Sequence, residues 1–242
     1  MKVICVIPAR YASSRLPGKP LADICGKPMI RWVYEQAKQA KLLEDVIVAT
    51  DNSLVYEAVQ NFAGKVCMTS AAHTSGTDRL AEVAQHYPEV DLIVNVQGDE
   101  PLIPSEIIDR LVTAFLQEPD LQMATLKTVM PASEYADPAC VKVVTDCDNN
   151  ALYFSRSQIP YVRNKLATTQ IYKHIGVYAY KRDFLLKFAS LPVGYLEQIE
   201  SLEQLRVLEN GYKIKVLEVA YNAVGVDTPE DLEKVRKVLA IR

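Results

Sequence analysis

Short apolar runs alternate with amphipathic helical patterns along most of this chain, and that alternation limits the fold more than any other feature. "VICVIPA" near the start reads as a strand buried on both faces, because it offers no polar position for a solvent side. "MIRWVYEQAKQAKLL" follows as a helix, with Ile30, Val33, Tyr34 and Ala37 on one face and Pro28 suited to the first helical position. "DVIVAT" and "KVCMT" are further strands, "TDRLAEVAQHY" a helix, "DLIVNV" a buried strand and "PSEIIDRLVTAFLQ" a helix. Strands separated by helices need crossover connections and therefore run parallel. A mostly parallel α/β sheet with helices on both faces is expected, with residues 1 to about 130 forming a doubly wound unit.

Between residues 131 and 190 the pattern changes. "VKVVTD", the turn-prone "CDNN" and "ALYFSR" predict an antiparallel hairpin, and "KHIGVYAYK" a further strand. This segment reads as an antiparallel insertion in a single domain spanning 1–242. The chain resumes with "YLEQIESLEQLRVLEN" as a helix closed by Gly211, then the strand "KIKVLEV" and a last helix from "TPEDLEKVRKVL". Neither an internal repeat nor a low-complexity tract appears.

The loop after the first strand, "PARYASSRLPGKP", gathers Arg10, Arg15 and Lys19 without an acid, in a chain of net charge -3. A solvated basic turn is the ordinary fate of such a run. Here, however, the cations lie just beyond the carboxyl end of a parallel strand, where open α/β sheets bind ligands. Gly18 and the flanking prolines stiffen the loop, which suits a polyphosphate. The acidic balance and the lack of a basic stripe disfavour nucleic acid. No apolar run approaches a membrane span and no secretory leader is evident, so a cytoplasmic protein without a membrane partner is expected. Five cysteines without CxxC spacing read as thiols in a reducing compartment.

Two acids complete the edge. Asp99 in "NVQGDEP" follows a buried strand and a glycine, and Asp227 in "GVDTPEDL" precedes the last helix. Asp227 or Thr228 would serve equally as that helix's N-cap. If both acids converge on the cationic loop, they repel unless one is protonated or a dication lies between them, and Mg²⁺ bridging them to a nucleotide phosphate accounts for the set.

The motifs "IPARYASSRLPGKPL", "VCMTSAAHTSGTDRLAEV", "NVQGDEPLIP", "ALYFSRSQIPY", "KHIGVYAY", "LEQIESLEQLRVLENG" and "GVDTPEDL" occur in this order over nearly the whole chain. Together they resemble the 3-deoxy-manno-octulosonate (Kdo) cytidylyltransferase family. The resemblance implies a Rossmann-like nucleotidyltransferase fold, a homodimer, Mg²⁺, and transfer of CMP from CTP to Kdo for lipopolysaccharide biosynthesis. By position it implies Arg10, Arg15 and Lys19 as the nucleotide-phosphate loop, Ser75, Gly76 and Arg79 as a second nucleotide segment, and Asp99 and Asp227 as metal ligands. It further implies Gln97, Arg156, His174, Tyr178 and Glu203 as the sugar-acid pocket, with Arg156 pairing the carboxylate and Lys19 facing the departing pyrophosphate. The segment 131–190 would then carry the sugar-site and dimer contacts. His174 has a structural alternative, since a lone His in an apolar strand is commonly a packing residue. Asp78, Ala223, Val224 and Gln198 depart from the family's usual residues, which bears on fine sugar selectivity.

Overall fold

A computed structural model of the chain describes residues 1–12, 16–73, 75–164 and 169–240. In chain order the strands and helices are β1 (Val3–Pro8), β2 (Asp23–Ile24), β3 (Lys27–Pro28), α1 (Met29–Ala37), β4 (Asp45–Thr50), α2 (Ser53–Asn61), β5 (Lys65–Met68), α3 (Gly76–His86), β6 (Leu92–Asn95) and α4 (Ser105–Gln117). There follow β7 (Met123–Val129), β8 (Lys142–Thr145), β9 (Ala151–Ser155), β10 (Tyr172–Lys181), α5 (Arg182–Ser190), α6 (Tyr195–Glu200), α7 (Leu205–Glu209), β11 (Lys215–Glu218) and α8 (Pro229–Leu239).

The main sheet has the order β11-β7-β10-β6-β1-β4-β5, with the β8–β9 hairpin attached through β8 to β10. β1 runs parallel to β4 and β6, and β4 parallel to β5, as the alternation of apolar runs and helical patterns requires. Along β1, Val3, Cys5 and Ile7 enter one core layer and Ile4 and Val6 the other, so every position of "VICVI" is covered. The first layer lies beneath α1, α2 and α4, the second beneath α3, α5 and α7. A third cluster seats α8 on the small β2–β3 pair through Ile24, Met29, Leu232 and Val235.

Several sequence expectations need correction. β10, the further strand expected in the antiparallel segment, pairs antiparallel with both β6 and β7 and so lies inside the main sheet. β7, "MATLKTV", carries buried Thr125, Lys127 and Thr128 among its apolar residues and shows no clean strand pattern. The Lys127 ammonium reaches Thr145 Oγ1 at 3.0 Å and Asn149 Oδ1 at 3.1 Å, which satisfies it within the sheet. Helix α1 ends at Ala37, short of the expected "KLL", and Pro28 caps it from an extended conformation instead of opening it. The helix expected over "YLEQIESLEQLRVLEN" is two, α6 and α7, broken at Ser201, whose φ of 51° is left-handed. The main-chain carbonyls of Glu200 and Ser201 accept from the Arg156 guanidinium, which holds the break open.

Candidate active site

Two adjoining cavities open at the carboxyl ends of β1 and β6. The outer one, about 450 Å³, is lined by Arg10 after β1, Lys19, Gly76 at the start of α3, Gln97, Asp99 and Asp227. Its shape depends on Gly98, where a Cβ would come within 2.8 Å of the Pro8 carbonyl oxygen, so only glycine lets this loop cross the end of β1. Gly18, at φ 67°, supplies the left-handed turn that brings Lys19 back toward the sheet.

Lys19 Nζ donates to Asp99 Oδ2 at 2.5 Å and to Asp227 Oδ1 at 2.9 Å. Burial, the largest single influence, works against the ammonium's charge, but Asp99 and Asp227 together outweigh it and raise its pKa above the ordinary lysine value. The two acids are brought together by a main-chain bond from Val226 N to Asp99 O at 2.9 Å. Capping of α8 falls to Thr228, whose hydroxyl accepts from Asp231 N. Asp227 is thus not the cap of α8; it lines the outer cavity and pairs with Lys19. One Nη of Arg10 is buried at the cavity with no partner among the described residues. With the start of α3 beside it, this nitrogen is a donor at the wall of the outer cavity.

The inner cavity, about 150 Å³, shares Gly76 and Gln97 with the outer one and adds Asn95, Tyr178, Glu203 and Gln204. Gln97 Nε2 donates to the Gly176 carbonyl at 3.2 Å, where β10 bulges between Ile175 and Tyr178. Burial pushes the Glu203 carboxyl up, with the hydroxyls of Ser75 and Thr77 pulling the other way. Asn95 Oδ1, Glu203 Oε1 and Gln204 Nε2 are all buried without a hydrogen-bond partner among the described residues. An unpaired buried polar atom costs about 1–3 kcal/mol, so three around one small cavity mark a place built for a polar guest.

The structure thus brings Arg10, Lys19, Gly76, Gln97, Asp99, Asp227, Tyr178 and Glu203 to two adjoining cavities. Arg15 lies outside the described residues. Ser75 stands just behind the lining as the N-cap of α3, accepting from Asp78 N. The other three residues implied by the resemblance have different contacts here. Arg79 is fully buried and pairs with Asp51 at 2.7 Å and with Thr69 Oγ1, tying α3 to the ends of β4 and β5. Arg156 donates to the carbonyls of Glu200 at 2.8 Å, Pro138 at 3.0 Å and Ser201 at 3.4 Å, so its guanidinium serves the chain and not the cavity. His174 lies between Phe154 and Tyr178, meets Thr125 Oγ1 at 2.9 Å, and burial lowers its pKa to about 3. It is a packing residue in this arrangement. Sequence reasoning missed Asn95 and Gln204. For Asn95 a signal was present, since it is the one polar residue ending an otherwise apolar strand.

An open pocket at the strand ends lined by Arg10 and Lys19, two convergent carboxylates and an adjoining polar cavity are the features of a nucleotidyltransferase. Residues 4–214 match the Cytidylyltransferase family model. The chain is 52% identical to the 3-deoxy-manno-octulosonate cytidylyltransferase of Geotalea uraniireducens, over 97% of this chain and 98% of that protein. It is 53% identical to the enzyme of the same name from Fusobacterium nucleatum subsp. nucleatum, over 97% and 96%. A solved structure of CMP:2-keto-3-deoxy-manno-octonic acid synthetase complexed with CTP superposes with a TM-score of 0.95 at 51% identity, covering 100% of this chain and 99% of that one. The chain belongs to the 3-deoxy-manno-octulosonate cytidylyltransferase family.

Proposed function

We propose that this chain transfers the cytidylyl group of CTP to the anomeric hydroxyl of Kdo, releasing pyrophosphate and supplying CMP-Kdo for lipopolysaccharide biosynthesis. The observation that carries the reading is the meeting of Asp99 and Asp227 on Lys19, beside an Arg10 nitrogen that has no hydrogen-bond partner among the described residues. In the reaction the anomeric oxygen attacks the α-phosphorus in line, the bond to the β-phosphate breaks, and the hydroxyl proton leaves. No covalent intermediate on the enzyme is needed. Arg10 and Lys19 are placed to neutralise the phosphates, and Gln97, Tyr178 and Glu203 to hold the sugar.

Two carboxylates close enough to share one ammonium also suit a hard dication, and Asp99 and Asp227 would hold Mg²⁺. Among the described residues no third acid, histidine or cysteine joins them, which fits an ion completed by substrate oxygens. When bound, Mg²⁺ supplies charge neutralisation and activates the attacking oxygen. Lys19 keeps the two carboxylates together, and an incoming phosphate offers its ammonium a further anion.

In this reading the enzyme is a single domain that works as a homodimer in the cytoplasm. Exposed Leu152, Tyr161, Tyr195 and Ile199 support a subunit contact around the 131–190 segment and α6. Among the described residues no helix is long and apolar enough to cross a membrane.

The test is pyrophosphate release with CTP, Mg²⁺ and Kdo, each omitted in turn. Release is expected only with all three present. Release from CTP without a sugar, or faster turnover of a sialic acid than of Kdo, would overturn the assignment.

A further inference from the structure

The inner cavity begins where one core layer runs out. Along β6, Leu92 and Val94 enter the layer beneath α4 and Ile93 the opposite layer, so alternation puts Asn95 on the Ile93 side, level with Tyr178 of β10. Its cross-strand partners, Val6 of β1 and Tyr178 of β10, are apolar and aromatic. Asn95 is instead an amide, only 4% exposed. Its Oδ1 is left without a hydrogen-bond partner among the described residues, at the cavity wall. Glu203 contributes a second unpartnered acceptor and Gln204 an unpartnered donor.

Two acceptors and one donor around so small a space describe the guest. A hydroxyl both donates and accepts, so one or two hydroxyls satisfy all three atoms. A carboxylate or phosphate would meet the lone pairs of Asn95 and Glu203 and be repelled. At about 150 Å³ the cavity has room for one end of a sugar acid, while Arg10 and Lys19 line the outer cavity, where an anionic end belongs.

We propose that the sugar acid enters hydroxyl end first, and that Asn95 selects it by accepting a hydrogen bond from a hydroxyl remote from the carboxylate. This rests on reading the chain as a Kdo cytidylyltransferase. Asn95 is then a specificity-determining residue.

The experiment compares wild type with Asn95→Leu on Kdo, on Kdo analogues each lacking one non-anomeric hydroxyl, and on the carboxamide of Kdo. Asn95→Leu should raise KM for Kdo about tenfold or more while KM for CTP and the CTP-induced rise in Tm stay unchanged. One deoxy analogue that wild type discriminates against should be turned over by wild type and Asn95→Leu alike, because enzyme and substrate then lack the two halves of one bond. The carboxamide should cost both enzymes the same. Should Asn95→Leu fail to fold, Asn95→Ala carries the same comparison. A variant that retains the full discrimination against every deoxy analogue, or that loses its discrimination against the carboxamide, overturns the proposal. If wild type itself does not turn over Kdo, the functional reading fails instead, and the two failures are distinct.

Discussion

Asp227 and Thr228 are adjacent, yet the structure gives them different partners, and substitution should separate their roles. Thr228→Ala removes the cap of α8 and should lower stability by about 1 kcal/mol with turnover nearly intact. Asp227→Asn should leave the Tm close to wild type while turnover falls by orders of magnitude across a Mg²⁺ titration, because one of two convergent negative charges is gone. Denaturation curves and pyrophosphate release on the same preparations decide this. His174 gives a second residue-scale expectation. Its folded pKa, about 3, lies below the 6.5 of an unperturbed histidine. The unfolded chain thus binds the extra proton first, so this contribution to stability is complete above pH 6.5 and is lost as the pH falls toward 3. His174→Gln, which cannot titrate, should flatten that part of the acid limb by an amount on the order of a few kcal/mol. An unchanged limb would show that the imidazole is not shielded as its neighbours imply.

Arg156 belongs to the scale of elements, since it joins β9 to the break between α6 and α7 and to the Pro138 turn. Beyond that break lie Glu203 and Gln204, so the arginine can reach the inner cavity through the main chain. Arg156→Ala should lower ligand-free stability by on the order of 2 kcal/mol, from lost charged hydrogen bonds to carbonyls, and raise KM for the sugar as a consequence. A loss of sugar binding with unchanged ligand-free Tm would return Arg156 to the pocket. The elements themselves were largely legible where burial is uniform: β1, β4 and β6 have apolar centres, and α3 and α8 announce themselves by capping boxes. What escaped reading was decided by partners distant in sequence. A strand with a buried lysine, as in β7, makes sense only once Thr145 and Asn149 arrive. A helix broken at Ser201 makes sense only once Arg156 does. Site residues followed the same division: Lys19, Asp99 and Asp227 show in their loops, whereas the engagement of Arg79 by Asp51 depends on the fold.

At the scale of the molecule the decisive feature is the antiparallel β10 between β6 and β7. Without it β6 keeps a bare edge, and β7 loses its contact with the rest of the parallel sheet. A fragment comprising residues 1–130 should therefore lack a cooperative unfolding transition and well-dispersed amide resonances, although it contains the entire β1, β4 and β5 unit. The full chain should unfold in one transition seen alike by fluorescence and circular dichroism. A stably folded fragment would show that the first half is self-sufficient. The same arrangement constrains the protein as it is made. On a ribosome adding roughly 5–20 residues per second, β6 and β7 emerge seconds before β10, with their pairing groups open to any other strand. The nascent chain must pass through that interval unprotected, so slow translation between codons 130 and 181, or scarcity of a holding chaperone, should cost soluble yield more than slowing elsewhere in the message.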